Sequence, residues 1–186
     1  MTSLYALKPR FQAMLRPLVG RLASLGLTAN AVTLAAMLVS IVIGLSLYFA
    51  PDKRLFFLLL PGWMLLRMTM NAIDGMLARE FGQKSTLGAY LNELSDVISD
   101  AALYLPFVHI APFGWGSVAM IVFLSALSEM AGVLGQAVGA ERRYDGPMGK
   151  SDRALVFGTR YVSSAGAVPA TATASRGIAI DSMPTM

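Results

Sequence analysis

Long apolar runs alternate with short polar segments along the chain, and they predict four membrane-spanning helices. A bilayer core of about 30 Å takes roughly 20 predominantly apolar residues in helical form. Pro51, Pro112 and Gly114 interrupt the chain between such runs, and Thr28 or Asn30 can cap the first helix. The predicted spans cover residues 28–50, 55–77, 87–110 and 115–138.

Before the first span, residues 4–26 place apolar side chains at three- and four-residue steps with basic residues between them. This pattern is typical of an amphipathic helix in the headgroup region of a bilayer. The apolar positions are periodic rather than continuous, so the segment is not a secretory signal. The predicted fold is an all-α polytopic transmembrane helix bundle of about four spans, with an amphipathic interfacial helix within residues 1–27.

The composition supports a membrane protein, because 55% of the residues are hydrophobic, 14% are charged and the mean hydropathy is +0.60. A soluble protein of this size usually carries more charge. The absence of cysteine excludes disulfides and thiolate metal sites. We therefore expect one transmembrane domain over residues 28–158.

Basic residues lie mainly on one side of the predicted membrane topology. The N-terminal segment, the loop after the second span and the loop after the fourth span carry ten lysines and arginines, against two on the other side. Since basic residues concentrate in cytoplasmic loops, both ends are predicted to face the cytoplasm from the inner (plasma) membrane. Membrane lipids, not nucleic acid, then account for the net charge of +4.

One polar segment, residues 71–100, holds five of the eleven acidic residues although predicted spans surround it. Ionisable groups at membrane depth are costly, so a functional site is the default interpretation. Asn71 and Asp74 are three residues apart and share a helix face in the second span. The third span places polar or small residues at four-residue steps: Gly88, Asn92, Asp96 and Asp100.

These two faces can meet and form a binding site. Gly75, Ala78 and Gly88 are small enough to permit close helix approach or to leave room for a ligand. Arg79 can bind a phosphate bidentately. Oxygen ligands without Cys or a nearby His favour Mg²⁺ or Mn²⁺ over zinc. A pair of polar helices sealed by mutual hydrogen bonds is the structural alternative.

The spacing of these residues resembles the signature of the CDP-alcohol phosphotransferases, D-x2-D-G-x2-A-R-x8-G-x3-D-x3-D. Six of its eight positions match across 26 residues, and looser similarity extends over residues 1–158. The matching residues are Asp74, Gly75, Ala78, Arg79, Gly88 and Asp96. Asn71 and Asn92 stand where the signature has aspartate.

The resemblance implies a membrane enzyme of phospholipid biosynthesis. It would transfer a phosphatidyl or other substituted phosphate group from a CDP-linked lipid donor to a small alcohol acceptor and release CMP. It also implies two divalent ions, Mg²⁺ or Mn²⁺, and a homodimer of six-span subunits. Which alcohol is the acceptor does not follow from the spacing.

Carried over by position, the resemblance implies that Asp74 and Asp96 are metal ligands, with Asn71 and Asn92 beside them as amide ligands. Asp96 would also be the general base that deprotonates the acceptor. The donor would contact Gly75, Ala78, Arg79 and Gly88.

Glu93 and Asp100 are further metal-ligand candidates, because both lie within about 100 degrees of Asp96 on a helix. They could compensate for the two missing carboxylates and leave one strong metal site. Arg67 could face the site or pair internally, and a structural ion pair is the favoured interpretation. Glu129 is the candidate partner, with a substrate-pocket role as its alternative.

The loop at residues 141–153 combines glycines with Arg142, Arg143, Lys150 and Arg153. Binding of the donor phosphates and a positive-inside anchor are both open interpretations. Residues 159–186 are rich in Ala, Ser, Thr and Gly, and we expect a disordered or aberrant tail where the family would have spans five and six.

Two other functional classes compete with the enzyme. Intramembrane carboxylates also build ion pathways in transporters, although here the acidic residues gather at one leaflet. A non-catalytic family relative could bind CDP-lipid without transferring its phosphate.

Overall fold

The computed structural model describes residues 8–50 and 59–139, which form five α-helices and no strand. The helices are α1 (Lys8–Ser24), α2 (Ala29–Phe49), α3 (Leu59–Glu80), α4 (Thr86–Tyr104) and α5 (Trp115–Ala137). The predicted all-α fold is confirmed. The four predicted spans correspond to α2, α3, α4 with the turn after it, and α5.

Local sequence explains where these helices begin and end. Thr28 caps α2, since its hydroxyl accepts a hydrogen bond from the Ala31 amide at 3.2 Å, and Ser85 caps α4 through the Gly88 amide at 2.9 Å. The third span was predicted as one helix to Ile110, which is wrong. The α-helix ends at Tyr104 and a 3-10 helix follows over Leu105–His109, because Pro106 has no N–H to continue the α-helical bonds.

The core consists of two apolar clusters, one toward each end of the bundle. One contains Leu47, Leu60, Trp63, Met64, Leu103, Tyr104, Phe107 and Val118. The other contains Leu15, Val19, Ala29, Val32, Ile73, Met76 and Leu77. Helix α2 packs against both α3 and α4. Buried polar side chains from α2, α3, α4 and α5 complete the interior, and they include Asp74, Asp96 and Asp100 of the predicted site.

Helix α1 packs one apolar face on the bundle and leaves another exposed. Leu15 and Val19 are buried, whereas Met14 is 68% exposed. At its polar edge, the Arg16 Nε donates to a carboxylate oxygen of Glu80 at 2.9 Å, which lowers the pKa of Glu80 below its usual value. The Arg16–Glu80 pair stabilises the fold when the pH is above the usual pKa of a glutamate. This stabilisation is lost as the pH falls through the lowered pKa of Glu80 in the folded chain. The amphipathic arrangement suits a helix at a membrane surface.

Two of the described helices, α2 and α5, are long and apolar enough to cross a membrane by length and composition. Helix α5 exposes large apolar side chains along its outer side, including Phe123 at 62% and Met130 at 57%. Apolar surface of this extent suits lipid or another protein rather than water. Helices α3 and α4 carry the charged groups of the predicted site within 22 and 19 residues.

Gly44 sets the separation between α2 and α4. A Cβ atom at this position would overlap with the backbone carbonyl of Ala102, which cannot rotate away as a side chain could. We expect Gly44→Ala to lower the free energy of unfolding in detergent by about 1–3 kcal/mol, because the two helices must move apart.

The matched control for this prediction is Gly135→Ala on α5, where a Cβ would meet no atom of a neighbouring element within 4 Å in the described part of the chain. That substitution is expected to leave stability unchanged or slightly higher, since alanine favours helix over glycine. Equal unfolding transitions for Gly44→Ala and Gly135→Ala would contradict the close contact.

Candidate active site between helices α2, α3 and α4

The predicted polar faces of α3 and α4 meet inside the bundle. The Asn71 side-chain amide on α3 donates a hydrogen bond to Asp96 Oδ1 on α4 at 3.0 Å. Asp96 is 2% exposed, so this contact lies in the interior. The structure thus brings together the two halves of the signature, which are separated in sequence by the turn between the helices.

Asp74 lies one turn after Asn71 on α3, and a third helix, α2, holds its side chain. Its carboxylate is 3% exposed and accepts a hydrogen bond from the Thr33 hydroxyl at 2.7 Å. Because a buried carboxylate needs such partners, Thr33 contributes to the site. The sequence did not single out Thr33, although it is the last residue of the TANAVT segment that begins the first span.

Arg67 reaches the site from α3, one helical turn before Asn71. Its Nη2 atom donates to Asp96 Oδ1 at 2.8 Å and to the Asp96 carbonyl oxygen at 3.1 Å, and its Nη1 atom donates to Asp100 Oδ1. Arg67 was expected to be a structural partner, and it is an ion-pair partner of two carboxylates from the predicted metal site. Asp96 and Asp100 therefore share one buried guanidinium.

Helix α5 closes this cluster on its far side. The Ser125 hydroxyl donates to Asp100 Oδ2 at 3.2 Å. Glu129, the expected partner of Arg67, lies one turn after Ser125 and is also buried. The sequence missed Ser125, because a serine in an apolar span carries no distinctive spacing.

Small residues let polar groups approach the helix backbones near the exposed end of the site. A Cβ at Gly75 would lie 3.0 Å from both terminal nitrogens of Arg79, so the exposed guanidinium folds back over this glycine. A Cβ at Gly88 would lie 2.8 Å from Asn30 Oδ1, so the N-terminal ends of α4 and α2 are close. Ala78 is half-buried on α3.

Gln83 connects the turn before α4 to the start of α2. Its side-chain oxygen accepts a hydrogen bond from the Ala29 amide at 2.7 Å, and its side-chain nitrogen donates to the Leu27 carbonyl at 3.3 Å. This pair of bonds satisfies backbone groups at the N-terminal end of α2. Gln83 was not predicted, and it helps to hold the helix ends that surround the site.

The remaining predicted site residues divide into two groups. Asn92 and Glu93 are half-buried on α4, one turn or less before Asp96. Arg142, Arg143, Lys150 and Arg153 lie outside the described residues, as does the segment 159–186, and their roles stay predictions.

Within residues 8–50 and 59–139, no group of three or more His, Asp or Glu side chains is arranged to hold a metal ion. The side chains that meet here offer carboxylate and amide oxygens, which suit a hard divalent cation. Arg67 already neutralises part of the carboxylate charge.

Comparisons with known proteins identify a family for this sequence. The CDP-alcohol phosphatidyltransferase family model matches residues 26–175, which extends past the segment where the sequence suggested similarity. The inner membrane protein YnbA of Escherichia coli strain K12 is 49% identical over 156 residues, covering 84% of this chain and 77% of YnbA.

Two further relatives are more distant. Phosphatidylinositol phosphate synthase of Mycobacteroides abscessus is 32% identical over 112 residues, which are 60% of this chain and 49% of the synthase. An uncharacterized protein of Aquifex aeolicus is 34% identical over 128 residues, which are 66% of this chain and 60% of that protein. No solved structure matches the chain significantly.

The family match covers most of the chain and includes α2 through α5, on which the site is built. The spacing of the signature and the helical bundle agree with it, and the similarity to an inner membrane protein agrees with a membrane protein. The chain is an α-helical membrane protein that belongs to the CDP-alcohol phosphatidyltransferase family.

Proposed function

We propose that this chain transfers a phosphatidyl or other substituted phosphate group from a CDP-alcohol, such as CDP-diacylglycerol, to an acceptor alcohol and releases CMP. The observation that carries the proposal is the contact between Asn71 and the buried Asp96, which joins both halves of the signature in one site. Family membership and the similarity to a phosphatidylinositol phosphate synthase support the same reaction class.

Asp96 is the group we assign to proton removal from the acceptor hydroxyl. Arg67 and Asn71 both donate to its Oδ1 atom, which fixes the orientation of the carboxylate. A carboxylate held in this way can accept the proton as the alcohol oxygen attacks the phosphorus atom. The bond from phosphorus to the CMP oxygen then breaks, and CMP leaves.

Arg79 is assigned to the phosphates of the donor. Its guanidinium is exposed at the end of α3 and lies over Gly75, where no side chain blocks it. A planar guanidinium binds two phosphate oxygens at once. We place the cytidine near Gly75, Ala78 and Gly88, and the basic loop residues Arg142, Arg143, Lys150 and Arg153 are further phosphate ligands in this proposal.

A divalent ion would be held by Asp74 together with the side-chain oxygens of Asn71 and Asn92, and Glu93 is a further candidate. Mg²⁺ or Mn²⁺ bound there would offset the negative charge of the donor diphosphate. Thr33 contributes by holding the Asp74 carboxylate toward α2. Asp96 is assigned the base role because it stands at the last position of the signature and its Oδ1 atom is oriented by both Arg67 and Asn71.

We further propose that the protein crosses the inner membrane several times with its active site facing the cytoplasm. Basic side chains lie at the end of the bundle that holds Asp74, as shown by Arg16 paired with Glu80 and by Arg79. Cytoplasmic loops are rich in such residues. The homodimer that the family resemblance implies stays a prediction.

The test uses membranes that contain the full chain, radiolabelled CDP-diacylglycerol, Mn²⁺ and a panel of acceptor alcohols. We expect release of CMP that depends on an acceptor and exceeds that of membranes without the protein. Binding of the lipid without CMP release would instead identify a non-catalytic relative. If the membranes show no lipid binding and no CMP release, the proposed chemistry is rejected and the transporter interpretation is favoured.

A further inference from the structure

A buried arginine pairs with two of the carboxylates expected to bind metal. The Arg67 guanidinium reaches both Asp96 and Asp100, which are one turn apart on α4 and therefore project from the same helix face. Arg67, at 8% exposed, and the carboxylates, at 2% and 6%, are shielded from water. Arg67 lies outside the signature, so the spacing alone assigned it no part in the chemistry.

Burial makes the charges in this cluster depend on one another. An ionised side chain that loses its partner inside a protein keeps its desolvation cost without the compensating attraction. Each oxygen of Asp100 accepts a hydrogen bond, one from Arg67 and one from Ser125. Arg67 therefore already supplies a cation at the position where a metal would otherwise have to neutralise Asp96 and Asp100.

The asparagine at position 71 complements this arrangement. Its amide nitrogen donates to the same Asp96 oxygen that Arg67 contacts, at 3.0 Å. An aspartate here would place two negative oxygens against each other and would require a cation between them. The Asn71 amide instead donates a hydrogen bond to Asp96 directly. Asn71 and Arg67 therefore both reduce the need for a metal ion beside Asp96.

Asp74 lies outside the ion pairs that Arg67 makes. Within the described residues, Arg67 pairs with Asp96 and Asp100 and not with Asp74, which accepts a hydrogen bond from Thr33 on α2. Arg67 therefore does not occupy the Asp74 carboxylate, which leaves that carboxylate as the candidate ligand for an external cation. A second divalent ion at Asp96 would lie beside the guanidinium, and the two positive charges would repel.

We propose that Arg67 is a built-in cation of this site and that the chain consequently binds one divalent ion, on the Asp74 side, rather than two. This inference rests on the proposed function for the identity of the site. Arg67 also positions Asp96, since its guanidinium donates hydrogen bonds to the Asp96 carboxylate and carbonyl oxygens.

The test counts Mn²⁺ ions bound by the full chain in detergent, using electron paramagnetic resonance of free Mn²⁺ and no CDP-alcohol. We expect one ion per chain for the unaltered protein. For Arg67→Met we expect a second bound ion, because Asp96 and Asp100 lose their internal cation. The matched control is Arg16→Met, which removes an exposed arginine that pairs with Glu80 at the surface and is expected to leave the count at one.

Thermal unfolding with EDTA and with Mn²⁺ gives a second measurement for the same variants. We expect Mn²⁺ to raise the melting temperature of Arg67→Met more than that of the unaltered chain, since the ion replaces the lost charge. The proposal is overturned if the unaltered chain binds two ions or if Arg67→Met binds no additional ion. It is also overturned if Arg67→Met stays unfolded with Mn²⁺. The number of bound Mn²⁺ ions is measured without catalysis. The result therefore tests the role of Arg67 independently of whether the chain releases CMP.

Discussion

Asp96→Asn is expected to lower the initial rate of CMP release by about 10²- to 10⁴-fold, the range that a positioned general base contributes. The amide keeps the shape of the side chain but cannot accept the proton of the acceptor alcohol. The rate is measured with CDP-diacylglycerol, Mn²⁺ and the acceptor that gives the highest activity with the unaltered chain.

Glu80→Gln is the matched control for this loss, since it also neutralises one acidic side chain. Glu80 pairs with Arg16 at the surface, whereas Asp96 is buried in the interior. Its rate is expected to equal that of the unaltered chain. If a folded Asp96→Asn protein keeps full activity, Asp96 is not the general base and another group accepts the proton of the acceptor alcohol.

Arg67→Met is expected to lower the free energy of unfolding by about 3–5 kcal/mol when metal is absent, because the variant strands two carboxylates in the interior. This is a large share of the roughly 5–15 kcal/mol that stabilises a typical domain. The measurement is equilibrium unfolding in detergent with EDTA, followed by the circular dichroism of the helices.

The double variant Arg67→Met, Asp100→Asn provides the internal check. Neutralising one of the stranded carboxylates is expected to recover part of the stability lost in Arg67→Met. Arg16→Met, which breaks an exposed ion pair, is expected to change stability little, because water and salt screen such pairs. If Arg16→Met and Arg67→Met lower the free energy of unfolding by similar amounts, the buried ion pairs of Arg67 stabilise the fold no more than an exposed pair does.

The hydrophobic pattern predicted the helices well, because a helix long enough to cross a bilayer requires a long apolar run. The prediction for the first span, residues 28–50, agrees with α2 at Ala29–Phe49, and the Thr28 cap is confirmed. The prediction was less accurate where polarity and backbone chemistry compete. Helix α3 continues to Glu80, and Pro106 ends α4 before the predicted boundary.

The signature could be found from spacing because its residues lie on only two helices, and helical geometry places three- and four-residue steps on one face. That argument correctly brought Asn71 toward Asp96. It could not identify Thr33 or Ser125 as partners, because hydrogen bonds across 41 and 25 residues depend on how the helices pack. For the same reason the backbone contact at Gly44 was invisible in the sequence.

The sequence by itself determined that this is an all-α membrane protein and that it resembles the CDP-alcohol phosphotransferases, since both follow from local pattern and fixed spacing. Tertiary structure alone decided how the charges are shared. It placed Arg67 between Asp96 and Asp100 and left Asp74 with Thr33 on another helix. Interhelical packing sets which opposite charges meet, and no spacing along one helix contains that information.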